Sequence, residues 1–295
     1  MTAPIGIPPL HRSPVSRTLG SLLARAFGVL QRLRPPRPIH SRGVVLRGKM
    51  RWIPDATPAG VSFVDDAPPC PVPVVARVSR SVGLPAPFPD IIGLALRVDV
   101  GAWGHRRPDA GAWPVDDPDA ETAPGRPGSA GGASLTTEPC GAVPQVADIE
   151  LASTGWNVPA RFALLPRRRA ERARLGTLLP YRTPRGAVLL VARTSAGRPP
   201  ATDPRELASA SDTAWILTLG HATPAGPWHP FARLELRLDP DQDARGLRFD
   251  AVRRPIPGAG AYDWVRALRQ PSYVRVQPDD AEIRMPPAQP AAAGT

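Results

Sequence analysis

The sequence predicts a mainly β protein (α+β) organised around a closed eight-stranded antiparallel barrel with flanking helices. Proline (41) and glycine (26) are abundant among the 295 residues, which excludes long uninterrupted helices. Hydrophobic residues make up 42% of the chain and charged residues 21%, a balance that is sufficient for a buried core. Eight stretches have the composition and periodicity of β-strands. A closed sheet is favoured because closure removes exposed strand edges.

The first 36 residues precede the barrel and contain one amphipathic stretch. Residues 1–14 are rich in proline and are expected to be loose. From residue 16 onward apolar residues recur at spacings of three and four, which predicts a helix that ends at Pro35. We expect this helix either to pack on the barrel domain or to contact a membrane surface through residues 16–34. A secretory signal is disfavoured because Arg25 interrupts the apolar run. The apolar positions are Leu19, Leu22, Leu23, Ala26, Phe27, Leu30 and Leu33.

The barrel domain is expected to cover residues 37–277. Its first strand shows the alternation well, with Lys49 and Arg51 on one face and Met50 and Trp52 on the other. The eight predicted strands are Val44–Ile53, Pro73–Ser79, Gly93–Val100, Asp148–Thr154, Gly186–Ser195, Thr213–His221, Phe231–Leu238 and Gly246–Val252.

Four further segments are expected around these strands. A flexible Pro/Gly-rich insertion at about 106–146 separates the third strand from the fourth. A helix over Arg167–Leu179 joins the fourth strand to the fifth, and a short helix covers Tyr262–Leu268. The tail at 278–295 is rich in proline and alanine and is expected to be disordered.

The net charge is +11, and Lys49 is the only lysine, so arginine supplies nearly all of the positive charge. Such a surface attracts nucleic acid, anionic lipid or an anionic cofactor. Specific nucleic-acid binding is disfavoured because the aromatic residues are not interleaved with the basic clusters. Cys70 and Cys140 lack metal-ligand spacing, so we expect a reducing, cytoplasmic location. No apolar run approaches the roughly 20 residues that would span a bilayer.

The sequence contains no motif for phosphate binding or metal-dependent hydrolysis. Gly258-Ala259-Gly260 lacks the lysine and the strand-turn-helix setting of a phosphate-binding loop. No His/Asp cluster with metal-ligand spacing is present. Ser153 and Ser195 lack the flanking glycines of a nucleophile elbow. Hydrolase chemistry is therefore not expected.

Four blocks of sequence resemble the haem catalase superfamily and occur in that family's order. Arg37–Gly43, with the sequence RPIHSRG, resembles the segment that opens the catalase barrel. Pro73–Ser79, followed by Phe88–Arg97, is similar to a strand of that barrel and its continuation. Asp148–Phe162 resembles the strand that carries the distal asparagine, and Arg269–Tyr273 has the spacing of the proximal ligand. In length the chain is similar to the small, barrel-only members.

The resemblance implies a haem cofactor with catalytic groups on both of its faces. His40 would be the distal acid–base residue, which takes a proton from the near oxygen of a peroxide and returns it to the far oxygen. Asn157 would be the distal amide. Tyr273 would be the metal ligand, as a phenolate, and Arg269 would lower the pKa of its phenol.

The resemblance also implies contacts to the edge of the haem. Arg37 and Arg77 would pair with its propionates, and Phe162 would contact the cofactor. One position departs from the family pattern: if Gly155 is the family's glycine, the distal asparagine position falls on Trp156, and Asn157 reaches it only by a one-residue shift.

A second departure follows the proximal ligand. The third propionate arginine, expected seven residues after Tyr273, is Asp280. The first hypothesis is a haem-binding, catalase-like oxidoreductase that acts as a peroxidase on organic or lipid hydroperoxides. The alternative is a haem-free barrel of the same fold that binds an anionic ligand or a membrane surface.

Overall fold

A computed structural model describes residues 42–84, 88–101, 145–210, 213–242 and 247–268. Within these residues the chain forms short helical elements and ten strands. The α-helix is α1 (Ser62–Asp65), the 3-10 helices are Ala160–Phe162, Ala170–Arg172 and Pro204–Ser209, and residues 263–268 are helical. The strands are β1 (Gly43–Trp52), β2 (Val72–Arg80), β3 (Ile92–Asp99), β4 (Val146–Thr154), β5 (Arg174–Gly176), β6 (Tyr181–Thr183), β7 (Gly186–Ala196), β8 (Trp215–Ala222), β9 (His229–Leu238) and β10 (Gly260–Ala261).

Eight of these strands close into an antiparallel barrel. Each strand pairs with its neighbours in the order β1, β2, β3, β4, β5, β7, β8 and β9, and β9 pairs again with β1. β6 and β10 form a small extension on the early part of β7. The predicted fold class, a mainly β protein with a closed eight-stranded antiparallel barrel, is confirmed.

Two predictions about the barrel wall are wrong. The eighth strand is β5 and not Gly246–Val252, because the apolar residues of that stretch pack onto the outside of the barrel without entering the sheet. The helix predicted over Arg167–Leu179 is also absent. One 3-10 turn forms at Ala170–Arg172, and β5 then pairs with β4 and β7, so sheet pairing outweighs local helix propensity.

Other predicted boundaries fall largely on residues that the structure does not describe. The insertion predicted at about 106–146 lies largely outside the described residues, and its predicted end overlaps the start of β4 at Val146. The N-terminal segment 1–36 and the tail 278–295 are outside the described residues. Among the helices described, none is long and apolar enough to cross a membrane.

The inside of the barrel is occupied by one apolar cluster. In β1 the residues Val44, Leu46, Met50 and Trp52 are buried in it, as the alternation predicts. Every barrel strand contributes to this cluster, and most of its side chains have no measurable exposure. Burial of this surface is the main stabilising contribution to the fold. It also leaves the interior filled by side chains.

Arginines occupy neighbouring positions on the outside of the barrel. Arg174 of β5 lies directly opposite Arg193 of β7, and Arg51 of β1 lies directly opposite Arg233 of β9. Like charges in such cross-strand positions repel each other. These pairs place the exposed arginines Arg51, Arg193 and Arg233 on the outer faces of β1, β7 and β9.

The outer face of β1, β2 and β3 is covered by the chain that follows residue 246. Leu247 and Phe249 pack against Val45, Val75 and Ala95. These contacts form a second, smaller apolar cluster outside the barrel wall, and they fix the position of the residues between and after them.

His221, at the end of β8, provides a pH-dependent contribution to stability. Its Nε2 lies 2.8 Å from the carbonyl oxygen of Thr57, to which it donates. Burial lowers the pKa of His221 below its ordinary value of 6.5, the Thr57 bond opposes this, and His229 lowers it further. The neutral imidazole is thus the form that the folded state favours.

We expect acidification to weaken the fold through this residue. The pKa of His221 is lower in the folded state than its ordinary value of 6.5. The stabilising contribution of neutral His221 is therefore fully present above pH 6.5 and is lost as the pH falls through the lower, folded-state pKa. Thermal unfolding between about pH 7 and pH 5.5 should show a steeper loss of Tm for wild type than for His221→Gln. Equal slopes for the two proteins would contradict this prediction.

Candidate functional site

Arg77 is the predicted site residue whose surroundings the structure defines best. It lies on the outer face of β2, where its register partners are Val45 and Ala95, and only 6% of the residue is exposed. Its guanidinium lies over Gly43, since a Cβ placed on that glycine would be 2.5 Å from the Arg77 Cζ. Gly43 closes the sequence block that contains His40. The fold therefore brings two of the four predicted blocks together.

Arg248 is a second cation at this position. Burial, together with a smaller contribution from the positive charge of Arg248, lowers the pKa of Arg77 to about 10. Burial also lowers the pKa of Arg248. A pKa of about 10 still leaves Arg77 protonated at neutral pH. Two neighbouring guanidinium groups in a desolvated setting favour an anion beside them.

A buried ion network anchors the segment that carries Arg248. Arg97 of β3 donates from Nε to one Asp148 oxygen at 2.8 Å and from a terminal nitrogen to the other at 2.9 Å. Arg254 Nε donates to Asp148 at 2.7 Å, as does the Asp250 backbone N–H at 2.8 Å. Arg97 and Arg254 both donate to the carbonyl oxygen of Arg248. Asp148 therefore ties the chain around Arg248 to the barrel wall.

Sequence reasoning missed Arg248. The residue belongs to the stretch that was predicted as the eighth strand, and nothing in its local pattern marks it as a partner of Arg77. Arg248 comes near Arg77 because residues 247–249 fold back over the outside of β1, β2 and β3.

Asn157 and Phe162 lie away from this cluster. Along the paired strands, Arg77 is level with Ala95 and Glu150, whereas Asn157 follows the end of β4 at Thr154. The Asn157 carbonyl accepts the Arg161 backbone N–H at 2.8 Å, and its side chain is exposed. Phe162 is 41% exposed in the following 3-10 turn. The structure does not bring either residue to Arg77.

Trp156, the residue at the implied distal asparagine position, belongs to an aromatic cluster. Its ring centroid is 5.6 Å from that of Trp228, and the Arg174 guanidinium lies over it at 5.1 Å. Trp228 Nε1 donates to the Trp156 carbonyl at 2.9 Å. Arg161, also buried, stacks on Trp228 and donates to the Thr223 and Gly226 carbonyls. These contacts fix the loop after β4.

The remaining predicted residues, Arg37, His40, Arg269 and Tyr273, are outside the described residues, and their roles stay predictions. In the part of the chain that is described, no group of three or more His, Cys, Asp or Glu side chains could hold a metal ion. The interior of the barrel does not fit a haem, because it is filled. Arg77 and Arg248 do fit its propionates, since guanidinium groups pair well with carboxylates.

The chain is similar to solved structures, although not to any protein family model or curated protein. A crystal structure of a fungal catalase is similar with a TM-score of 0.44 and 12% sequence identity, over 92% of this chain and 64% of the catalase chain. This chain therefore spans somewhat less than two thirds of that catalase's length. The closed eight-stranded barrel agrees with the fold that the sequence resemblance implies.

Proposed function

We propose that this protein is a haem-binding, catalase-like oxidoreductase that reduces organic or lipid hydroperoxides. The observation that supports this proposal is the position of Arg77. Its buried guanidinium lies over Gly43, three residues after His40, and has Arg248 beside it. A propionate-binding cation is thereby adjacent to the segment that carries the implied distal histidine.

In this proposal Arg77, Arg248 and Arg37 bind the carboxylates of the cofactor. Arg77 and Arg248 supply two cations on the outside of β2. The residue at which the resemblance implies a third propionate-binding arginine is Asp280. Arg248 therefore takes over the charge that Asp280 cannot supply. Asp148 holds Arg248 in place through its bonds to Arg97 and Arg254.

His40 and Tyr273 carry the chemistry at the two faces. When bound, haem would supply the redox-active iron at which the O–O bond of a hydroperoxide is cleaved, and an external two-electron organic reductant would return the iron to its resting state. His40 would accept the proton of the peroxide and donate it to the leaving oxygen as that bond breaks. Tyr273 remains a phenolate because the positive charge of Arg269 lowers the pKa of its phenol.

The proposed substrate is an organic hydroperoxide in preference to hydrogen peroxide. The resemblance implies Trp156 at the distal amide position. In the structure Trp156 lies in the loop after β4, next to Asn157, where its ring contacts Trp228 and Arg174. This preference therefore rests on the resemblance and not on proximity to Arg77. An indole in place of an amide offers no carbonyl acceptor and presents an apolar surface. Asn157 and Phe162, exposed beyond β4, are assigned no step in the reaction.

A hemin titration of purified protein tests the proposal. We expect a Soret band at about one hemin per chain in wild type, and a shifted, weakened band in Tyr273→Phe. Arg77→Gln should lower hemin affinity about tenfold to a hundredfold, because a charge-assisted hydrogen bond contributes about 1.5–3 kcal/mol. Gly43→Val should also lower the affinity for hemin, since the valine side chain would displace the Arg77 guanidinium.

Arg233→Gln is the matched control for this titration, because Arg233 is an exposed arginine on the outer face of β9. Arg233→Gln changes the net charge by the same amount as Arg77→Gln and should leave the affinity for hemin unchanged. Absence of specific hemin binding by wild type, or equal losses in Arg77→Gln and Arg233→Gln, would refute the haem assignment.

A haem-free barrel that binds a small anionic ligand is the second candidate. The observation that favours it is again the pair of neighbouring guanidinium groups, which suit any carboxylate or phosphate. In that case hemin gives no Soret shift, whereas phosphate or a dicarboxylate raises the Tm of wild type but not of Arg77→Gln.

A further inference from the structure

One end of the barrel exposes a concentration of apolar side chains. Seven large hydrophobic residues are exposed in the described part of the chain, and Trp264 is the one that lies elsewhere. The six others come from two loops, the one between β2 and β3 and the one after β4. We call them the apolar end patch: Val82 (49% exposed), Leu84 (41%), Phe88 (58%), Val158 (50%), Phe162 (41%) and Leu164 (48%).

Buried charges hold the first loop with its apolar side chains outward. The Asp90 carboxylate, 3% exposed as a residue, accepts the backbone N–H groups of Val82, Gly83 and Leu84 at 2.9–3.1 Å. Arg80, equally buried, donates to the Leu84 carbonyl at 2.8 Å and to the Phe88 carbonyl. These bonds hold the backbone of Val82, Gly83, Leu84 and Phe88 in place, and the side chains of Val82, Leu84 and Phe88 are exposed.

The second loop is joined to the first by backbone bonds. Asp90 and Arg167 exchange N–H to carbonyl bonds of 3.0 and 2.8 Å as an antiparallel bridge. The Ser153 hydroxyl accepts the Ile92 N–H at 3.1 Å and donates to the Leu165 carbonyl at 2.7 Å. These bonds join the two loops that carry the six apolar residues at one end of the barrel.

Exposed arginines border this patch. Arg168, Arg169 and Arg172 directly follow the second loop and are exposed. Arg168 and Arg169 directly follow Arg167, which is bridged to Asp90 near the end of the first loop. Between residues 158 and 172 the only acid is Glu171, which is half-buried. The surface thus combines an apolar centre with a cationic border.

We propose that the apolar end patch is a docking site for an anionic lipid surface. Apolar side chains enter the interfacial region, while guanidinium groups contact lipid phosphates, and this combination is what peripheral membrane binding requires. A second copy of the chain is a poorer partner, because it would bring the same arginines and a net charge of +11. The proposal does not depend on haem.

Vesicle co-sedimentation of the full chain tests this assignment. We expect binding to vesicles of equal parts phosphatidylglycerol and phosphatidylcholine, and at least tenfold weaker binding to phosphatidylcholine alone. The double variant Phe88→Ser, Leu164→Ser should bind anionic vesicles about tenfold more weakly than wild type. Arg168→Gln with Arg169→Gln should weaken binding about fivefold for each charge removed.

Trp264→Ser is the control, since it removes an exposed aromatic residue (40%) outside the patch. It should bind as wild type does, and all variants should retain the wild-type Tm because the substituted residues are exposed. If both double variants bind vesicles as tightly as wild type, the patch is not a membrane site and any binding belongs to another segment. Vesicle-free dimerisation that disappears in Phe88→Ser, Leu164→Ser would assign the patch to a second copy and overturn the proposal.

Discussion

Replacement of Asp148 by asparagine is expected to lower the free energy of unfolding by about 3–5 kcal/mol, because it leaves buried cations without their counter-charge. The side chains of Asp148 and Arg97 are 0% and 1% exposed, and Arg254 is 16% exposed. The carboxylate accepts two bonds from Arg97, one from Arg254 and one from a backbone N–H. Asparagine keeps the shape but loses the charge and one acceptor.

The measurement is equilibrium unfolding in urea, where the midpoint of Asp148→Asn should fall well below that of wild type. Asp241→Asn is the control. Asp241 forms a 3.3 Å ion pair with Arg47, but its side chain is 73% exposed, and such a pair contributes at most about 1 kcal/mol. Equal losses for the two variants would contradict the burial argument. Because Asp148 anchors Arg248, its loss should also weaken hemin binding.

Gly48→Ala is expected to destabilise the barrel by about 3 kcal/mol, at the upper end of the range for overpacking. A Cβ on Gly48 would lie 1.7 Å from the carbonyl oxygen of Glu235 and 3.1 Å from the Leu236 Cα. These are backbone atoms of β9, so no side-chain movement relieves the overlap. The added methyl group must separate β1 from β9 where the barrel closes.

Thermal unfolding of Gly48→Ala beside Gly260→Ala checks this prediction. A Cβ on Gly260 would have no atom within 4 Å, so that substitution should be neutral or slightly stabilising through its effect on the unfolded chain. A wild-type Tm for Gly48→Ala would mean that β1 and β9 separate without cost, in contradiction to the close approach of their backbones.

Much of the barrel could be predicted from periodicity, and the candidate site could be predicted only in part. Seven of the eight barrel strands follow from their composition and periodicity: β9 alternates between buried and exposed residues, whereas β2 and β3 are largely apolar runs buried on both faces. β5 is not predicted from the sequence, because a strand of three residues is too short to show an alternation of apolar and polar side chains. Arg77 was identified through a resemblance between sequence blocks, whereas Arg248 had no signal of its own.

The sequence by itself determined the closed antiparallel sheet, the apolar interior and the excess of arginine. Alternation records which side chains are buried, and in a chain rich in proline and glycine few folds other than a barrel use so many short strands. Only the tertiary structure decided what covers each outward face. It placed Arg248 near Arg77 and exposed the apolar end patch among the described residues, because such contacts join residues far apart in the chain, and a local pattern carries no information about them.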